Sequence, residues 1–147
     1  MNISIACDHG AVALKNKVAE HLRAQGHQVL DFGTHTTDSC DYPDYAVQAA
    51  GAVADGRCQR GIVLCTTGIG MSIAANKVPG IRCALLHDTL SAKLTRLHND
   101  TNMMALGAGI VGESLALDIV DVWMATEFSD ETRHRRRIAK VAEMERK

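Results

Sequence analysis

Aromatic side chains are scarce in this sequence, with Phe, Tyr and Trp together making up 3% of its 147 residues. A formal net charge of -1 adds no basic surface. Nucleic-acid binding, which needs both phosphate-neutralising charge and stacking rings, is therefore disfavoured. Long apolar runs are missing as well. The best stretch, Leu115 to Met124, is interrupted by Asp118 and Asp121, well short of the roughly 18 consecutive apolar residues that span a bilayer. No basic leader followed by an apolar segment and a small-residue cleavage site follows Met1, so neither secretion nor membrane insertion is expected. The five cysteines, Cys7, Cys40, Cys58, Cys65 and Cys83, are odd in number and form no Cys-x-x-Cys pair. That argues against a disulfide framework or a closed zinc site and for free thiols in a reducing cytoplasm. No metal and no cofactor is expected.

What is present is the composition of a folded protein: 46% hydrophobic and 22% charged residues. The length suits one domain over residues 1–147. Short apolar runs alternate with amphipathic stretches, the pattern of an α/β domain with a parallel sheet. Strands are predicted at Asn2 to Cys7, Gln28 to Phe32, Gly61 to Cys65, Arg82 to Leu86 and Asn102 to Leu106. Helices follow from Ala11 towards Gly26, from Asp44 to Asp55, through Ala74 and Ala75, from Leu90 to His98 and from Glu113 to Ala125. Ile138, Val141 and Met144 recur at helical spacing in the charged segment after Asp130, which predicts a last helix that docks rather than a loose tail. A flavodoxin-like strand order, 2-1-3-4-5, is expected, with ligands bound beyond the carboxyl ends of the strands.

Chemistry concentrates where the third strand should end, in Cys65-Thr66-Thr67-Gly68-Ile69-Gly70-Met71-Ser72. Glycines there let the backbone point N–H groups into one cavity, and a following helix adds partial positive charge. Such a turn can hold a phosphate or an oxyanion, and its field favours the thiolate form of Cys65. Taken alone, the segment fits equally well a Gly-rich strand-to-helix connection beside an ordinary buried cysteine. Spacing removes other chemistries. Ile73 stands where a dinucleotide fingerprint needs its third glycine, and no Gly-Lys-Ser/Thr follows as a P-loop requires. A Cys-x5-Arg phosphatase would need arginine where Met71 stands. A second cluster, Asp8-His9-Gly10, follows the first strand, and a third, His98-Asn99-Asp100, follows the fourth unit's helix. Arg133 and Arg137 fall on one helix face, suited to clamping a phosphate, although such an arginine run is also an ordinary solvated face.

Together these segments resemble the ribose-5-phosphate isomerase B family, which also includes galactose-6-phosphate isomerase subunits. The resemblance rests on Cys65 to Lys77, Asp8-His9-Gly10, Asp41-Tyr42-Pro43-Asp44-Tyr45-Ala46 and Arg96-Leu97-His98-Asn99-Asp100-Thr101-Asn102. It implies a Rossmann-like three-layer α/β/α fold, a homodimer or dimer of dimers with shared active sites, and a last helix packed on a partner subunit. It also implies aldose–ketose isomerisation of ribose 5-phosphate to ribulose 5-phosphate, or of a six-carbon 6-phosphate of the allose or galactose type. By similarity, Cys65 abstracts the proton at C2, Thr67 and the Gly68 to Gly70 amides stabilise the enediolate, His98 opens the sugar ring and Asp8 assists at the sugar oxygens. His9, Arg133 and Arg137 would hold the phosphate, Asn99 would contact the sugar, and Tyr42, Thr66 and Ile69 would line the substrate site. The sequence departs from the family pattern at Gly109, where an arginine that contacts phosphate is common, and at Thr66, where glycine is usual. Ser129-Asp130-Glu131-Thr132 also replaces a shorter Gly-Gly lead into Arg133. These departures motivate an alternative, a weakly active sugar-phosphate binding protein.

Overall fold

The structure is a computed structural model that describes residues 1–146. Strand β1 (Asn2–Cys7) leads to α1 (Val12–Ala24), β2 (Gln28–Asp31) to α2 (Tyr42–Ala54), and β3 (Arg60–Cys65) to the short α3 (Ile69–Ala75). Strand β4 (Cys83–Leu85) is followed by α4 (Thr89–Asn99), and β5 (Met103–Gly107) by α5 (Glu113–Ala125) and α6 (Thr132–Met144). All pairings in the five-stranded sheet are parallel. Helices cover both faces, so the fold is a three-layer α/β/α sandwich, as the alternation of runs predicts.

The two-residue period of the strands sorts the core into two layers. Ile3, Ile5, Ile62, Leu64, Met104 and Leu106 point to one face, where Leu14, Val18 and Leu22 of α1 and Ile119, Val120 and Trp123 of α5 pack. Ala6, Val63, Cys65, Met103 and Ala105 point to the other, against the alanines of α2 and Met71 and Ala75 of α3. Small side chains on this second face bring α2 close: Ser4 Oγ donates to the Ala49 carbonyl at 2.9 Å. Cys65 thus belongs to the layer under α2 and α3.

The strand order is β2-β1-β3-β5-β4, which corrects the expected 2-1-3-4-5. The reason lies in how the last two strands are built. Met103 to Gly107 is buried throughout and fits between two neighbours, whereas β4 has three half-buried residues and suits an edge. The exchange matters for function, because β5 rather than β4 now flanks β3, pairing Cys65 with Gly107.

The last helix docks lightly. His134 is its one buried residue, packed towards α4, while Val141 and Met144 are 49% and 69% exposed. No described helix is long and apolar enough to cross a membrane.

Candidate active site at the carboxyl end of the sheet

Chain order reverses between β1 and β3, the switch point where α/β sheets open a crevice. Two loops leave the sheet there. After β3 the chain turns at once: Gly68 takes a left-handed φ of 77°, and a Cβ there would lie 2.6 Å from Leu85 Cδ1 and 2.8 Å from the Leu106 carbonyl carbon. Glycine is required on both counts. The turn aims the Gly68 N–H back at Cys65, donating to its sulfur at 3.0 Å. The Ile69 N–H donates to Thr67 Oγ1 at 3.3 Å, and the first helical bond runs from Ser72 N–H to the Gly68 carbonyl. The ladder of α3 therefore leaves the Gly70 and Met71 N–H groups to other partners.

The loop after β1 stands alongside. Asp8 is buried and accepts the Gly10 N–H through Oδ1 at 2.9 Å, leaving its second oxygen for other work. Thr66 joins the two loops: a Cβ on Gly10 would collide with Thr66 Oγ1, and one on Gly109 would come within 3.1 Å of Thr66 Cγ2. Its side chain, exposed on the rim, stands between the β1 loop and the segment after β5, whose Gly109 N–H donates to the Thr66 carbonyl at 2.8 Å. Tyr42, at the start of α2, lays its ring against Gly70. His9 receives the Cys40 N–H on Nδ1 at 3.3 Å. The loop carrying Cys40 is tied down by Lys15, whose fully buried ammonium donates to both Asp31 oxygens at 2.8 and 2.9 Å and to the Thr34 carbonyl at 3.0 Å. Cys65, Thr66, Thr67, Gly68, Ile69, Gly70, Asp8, His9 and Tyr42 thus gather at one end of the sheet.

The remaining predicted residues lie at the other end. His98 and Asn99 close α4 just before β5 begins, whereas Cys65 pairs with the last residue of β5. The length of β5 alone separates them by about 13 Å. Here a cavity of about 350 Å³ is lined by His98, Asn99, Arg82, Thr101, His134 and Arg137 among others. The His98 and His134 rings pack 4.6 Å apart, and Ser129 Oγ lies 2.8 Å from His134 Nδ1. Burial holds the His134 imidazole below its ordinary pKa. Arg133 is turned aside to Glu131 at 2.8 Å. One chain therefore does not bring His98, Asn99, Arg133 or Arg137 to Cys65. Sequence reasoning passed over His134 and Arg82 as members of this second cluster. The stripe of Ile138 and Val141, continued one turn back, would have found His134.

A thiol, a carboxylate and an imidazole around a turn of backbone donors, at the switch point of a parallel sheet, define a class of enzymes that move protons on small oxyanionic substrates. A sequence profile described as Ribose/Galactose Isomerase matches residues 3–141. Ribose-5-phosphate isomerase B of Escherichia coli is 43% identical over 99% of this chain and 97% of its own length. D-erythrulose-4-phosphate isomerase of Pectobacterium atrosepticum is 45% identical, covering 87% of this chain and 85% of its own. The solved structure of Clostridium thermocellum ribose-5-phosphate isomerase B superposes with a TM-score of 0.97 at 51% identity, over 99% of this chain and 98% of the other. The chain belongs to the ribose/galactose isomerase family.

Proposed function

We propose that this chain, acting as one domain, is a cytoplasmic aldose–ketose isomerase that interconverts ribose 5-phosphate and ribulose 5-phosphate with Cys65 as the base. The observation that carries the reading is the Cys65 sulfur at the switch point, with the Gly68 N–H directed at it at 3.0 Å. In the open-chain aldose, the thiolate takes the C2 proton, and the electron pair left behind forms the C1–C2 double bond as negative charge moves to O1. Thr67 and the Gly68 to Gly70 amides stabilise that enediolate, where one well-placed donor lowers a barrier by about 3 kcal/mol. Return of a proton from Cys65 to C1, with the O2 proton passed to O1 by way of Asp8, gives the ketose. His9, Arg133 and Arg137 hold the phosphate, and Tyr42, Thr66 and Ile69 line the sugar.

His98 opens the furanose ring and Asn99 contacts the sugar, and both, like Arg133 and Arg137, come from a second copy of the chain, because their own Cys65 lies at the opposite end of the sheet. The working unit is then a homodimer, or a dimer of such dimers.

Incubating ribose 5-phosphate in deuterated water with wild type and Cys65→Ala tests the reading. Ketose should form with wild type, and kcat should fall by about 10²- to 10⁴-fold in the variant. Binding without turnover in the wild type would sink the enzyme reading, and full activity in the variant would remove Cys65 from its role. A kcat/KM panel of four-, five- and six-carbon sugar phosphates then ranks substrates.

A further inference from the structure

The turn that follows His98 and Asn99 is fixed by bonds from two arginines. Asp100, directly after α4, adopts a left-handed φ of 45° without being glycine, a conformation that needs support from its surroundings. Two guanidinium groups supply it. Arg96 Nη1 donates to Asp100 Oδ1 at 2.8 Å and to the Thr101 carbonyl at 2.6 Å, while its Nε holds the Thr126 carbonyl at 3.1 Å. Arg82 arrives from the start of the edge strand. Its Nη2 donates to the Asp100 carbonyl at 2.7 Å and to Oδ2 at 3.2 Å, and its Nε to the Asn99 carbonyl at 3.0 Å. The backbone of Arg82 is fixed in turn by Asn102, whose Oδ1 accepts the Arg82 N–H at 2.8 Å. A carboxylate bonded on each oxygen by a different guanidinium group, with the same groups holding the neighbouring carbonyls, has little freedom, and neither has the chain on either side of it.

We propose that Arg82 and Asp100 are positioning residues for isomerisation: they set the turn so that His98 and Asn99 reach the active site of a neighbouring subunit. Simple stabilisation of the fold does not require this arrangement, because the Arg82 side chain is 27% exposed and most of its bonds end on the two residues that follow His98. The inference rests on the shared-site reading above, in which His98 acts on the ring.

The chemistry separates a positioning role from a structural one. Ribulose 5-phosphate cannot close to a furanose, because its O5 carries the phosphate. Removal of its C1 proton by Cys65 therefore precedes any step that needs His98, whereas conversion to cyclic ribose 5-phosphate ends with one. In deuterated water, exchange at C1 of the ketose can be followed by NMR beside net formation of aldose. A misplaced His98 sends more enediolate back to ketose, so the ratio of exchange to conversion rises. General loss of folded enzyme lowers both rates and leaves the ratio alone.

The experiment compares wild type, Arg82→Met, Asp100→Asn and His98→Asn. Net conversion should drop about 10- to 100-fold in Arg82→Met, the range for a misplacement near 1 Å, with the ratio rising as it does in His98→Asn. Arg82→Lys, which keeps a cation beside Asp100 but not the fork, should fall between wild type and Arg82→Met. A raised ratio in His98→Asn with an unchanged one in Arg82→Met and Asp100→Asn overturns the positioning role alone. An unchanged ratio in His98→Asn removes the ring-opening reading, and the inference falls with it.

Discussion

Burial pushes the thiols of Cys7 and Cys83 up to about 12, and it raises Cys58 as well, so these sulfurs stay protonated and unreactive at neutral pH. Cys65 is also buried, at 5% exposure, but its sulfur meets an N–H. Residues beside it are constrained as tightly. Gly10 has no room for a Cβ because Thr66 Oγ1 occupies the place. Gly10→Ala alone should destabilise by about 1–3 kcal/mol, the usual cost of overpacking, whereas the same change in a Thr66→Gly background should cost much less. Urea unfolding of the four proteins in this double-mutant cycle measures the coupling, expected at about 0.5–3 kcal/mol. Additive effects would mean that the two side chains do not compete for the space.

Helix α4 is pinned at both ends by side-chain bonds. At its start Asp88 accepts the Ser91 main-chain N–H at 2.7 Å and the Ser91 hydroxyl at 2.8 Å, and these bonds, the main-chain one first, hold its carboxyl below the ordinary range. Because the folded-state value is the lower one, the stabilisation is complete above the unfolded value of about 3.9 and disappears as pH falls through the folded one. Asp88→Ala should therefore lower the melting midpoint slightly at pH 7, the group being fully exposed and screened by salt, and the gap from wild type should close in strong acid. Asp88→Asn, which keeps an acceptor, should lose less. An undiminished gap in strong acid would show that the carboxylate is not the source. Boundaries of this kind were largely legible from sequence. β1 and α5 run over the residues that the apolar periodicity marks, Asn2–Cys7 and Glu113–Ala125. Strand order was not legible, since an apolar run reports that a strand is buried but not which neighbour buries it. The residues after β1 and β3 fall at one end of the sheet, as expected, because parallel strands all open their loops on the same end. His98 was harder, because it lies at the end of a helix returning to the opposite edge, and residue type alone does not reveal which end a loop faces.

At the scale of the whole molecule, the residues proposed to carry the reaction are divided between the two ends of one sheet, about 13 Å apart along β5. Folding cannot join them within one chain, since Cys65 and the turn at His98 are fixed to opposite ends of the same strand pair. Exposed apolar side chains stand near both clusters: Ile69 and Ile73 on α3 beside the thiol loop, Val141 on α6 beside the His98 cavity. An isologous dimer can bring one end of each chain to the other end of its partner, creating two equivalent sites. Such a dimer predicts complementation between two inactive variants. Cys65→Ala and His98→Asn should each convert ribose 5-phosphate poorly alone. In a co-expressed mixture, random pairing makes half of the dimers mixed, and each mixed dimer holds one site with both native side chains and one with neither. Activity should then recover to about a quarter of the wild-type value per chain, and to about half in mixed dimers isolated through different tags on the two variants. Isolated mixed dimers no more active than their parents would place Cys65 and His98 of the same chain in one site, or His98 outside the reaction altogether. Recovery would instead make the pairing of two chains a condition of catalysis, and it would explain why the turn at Asp100 is held so firmly on a surface that its own chain leaves unused.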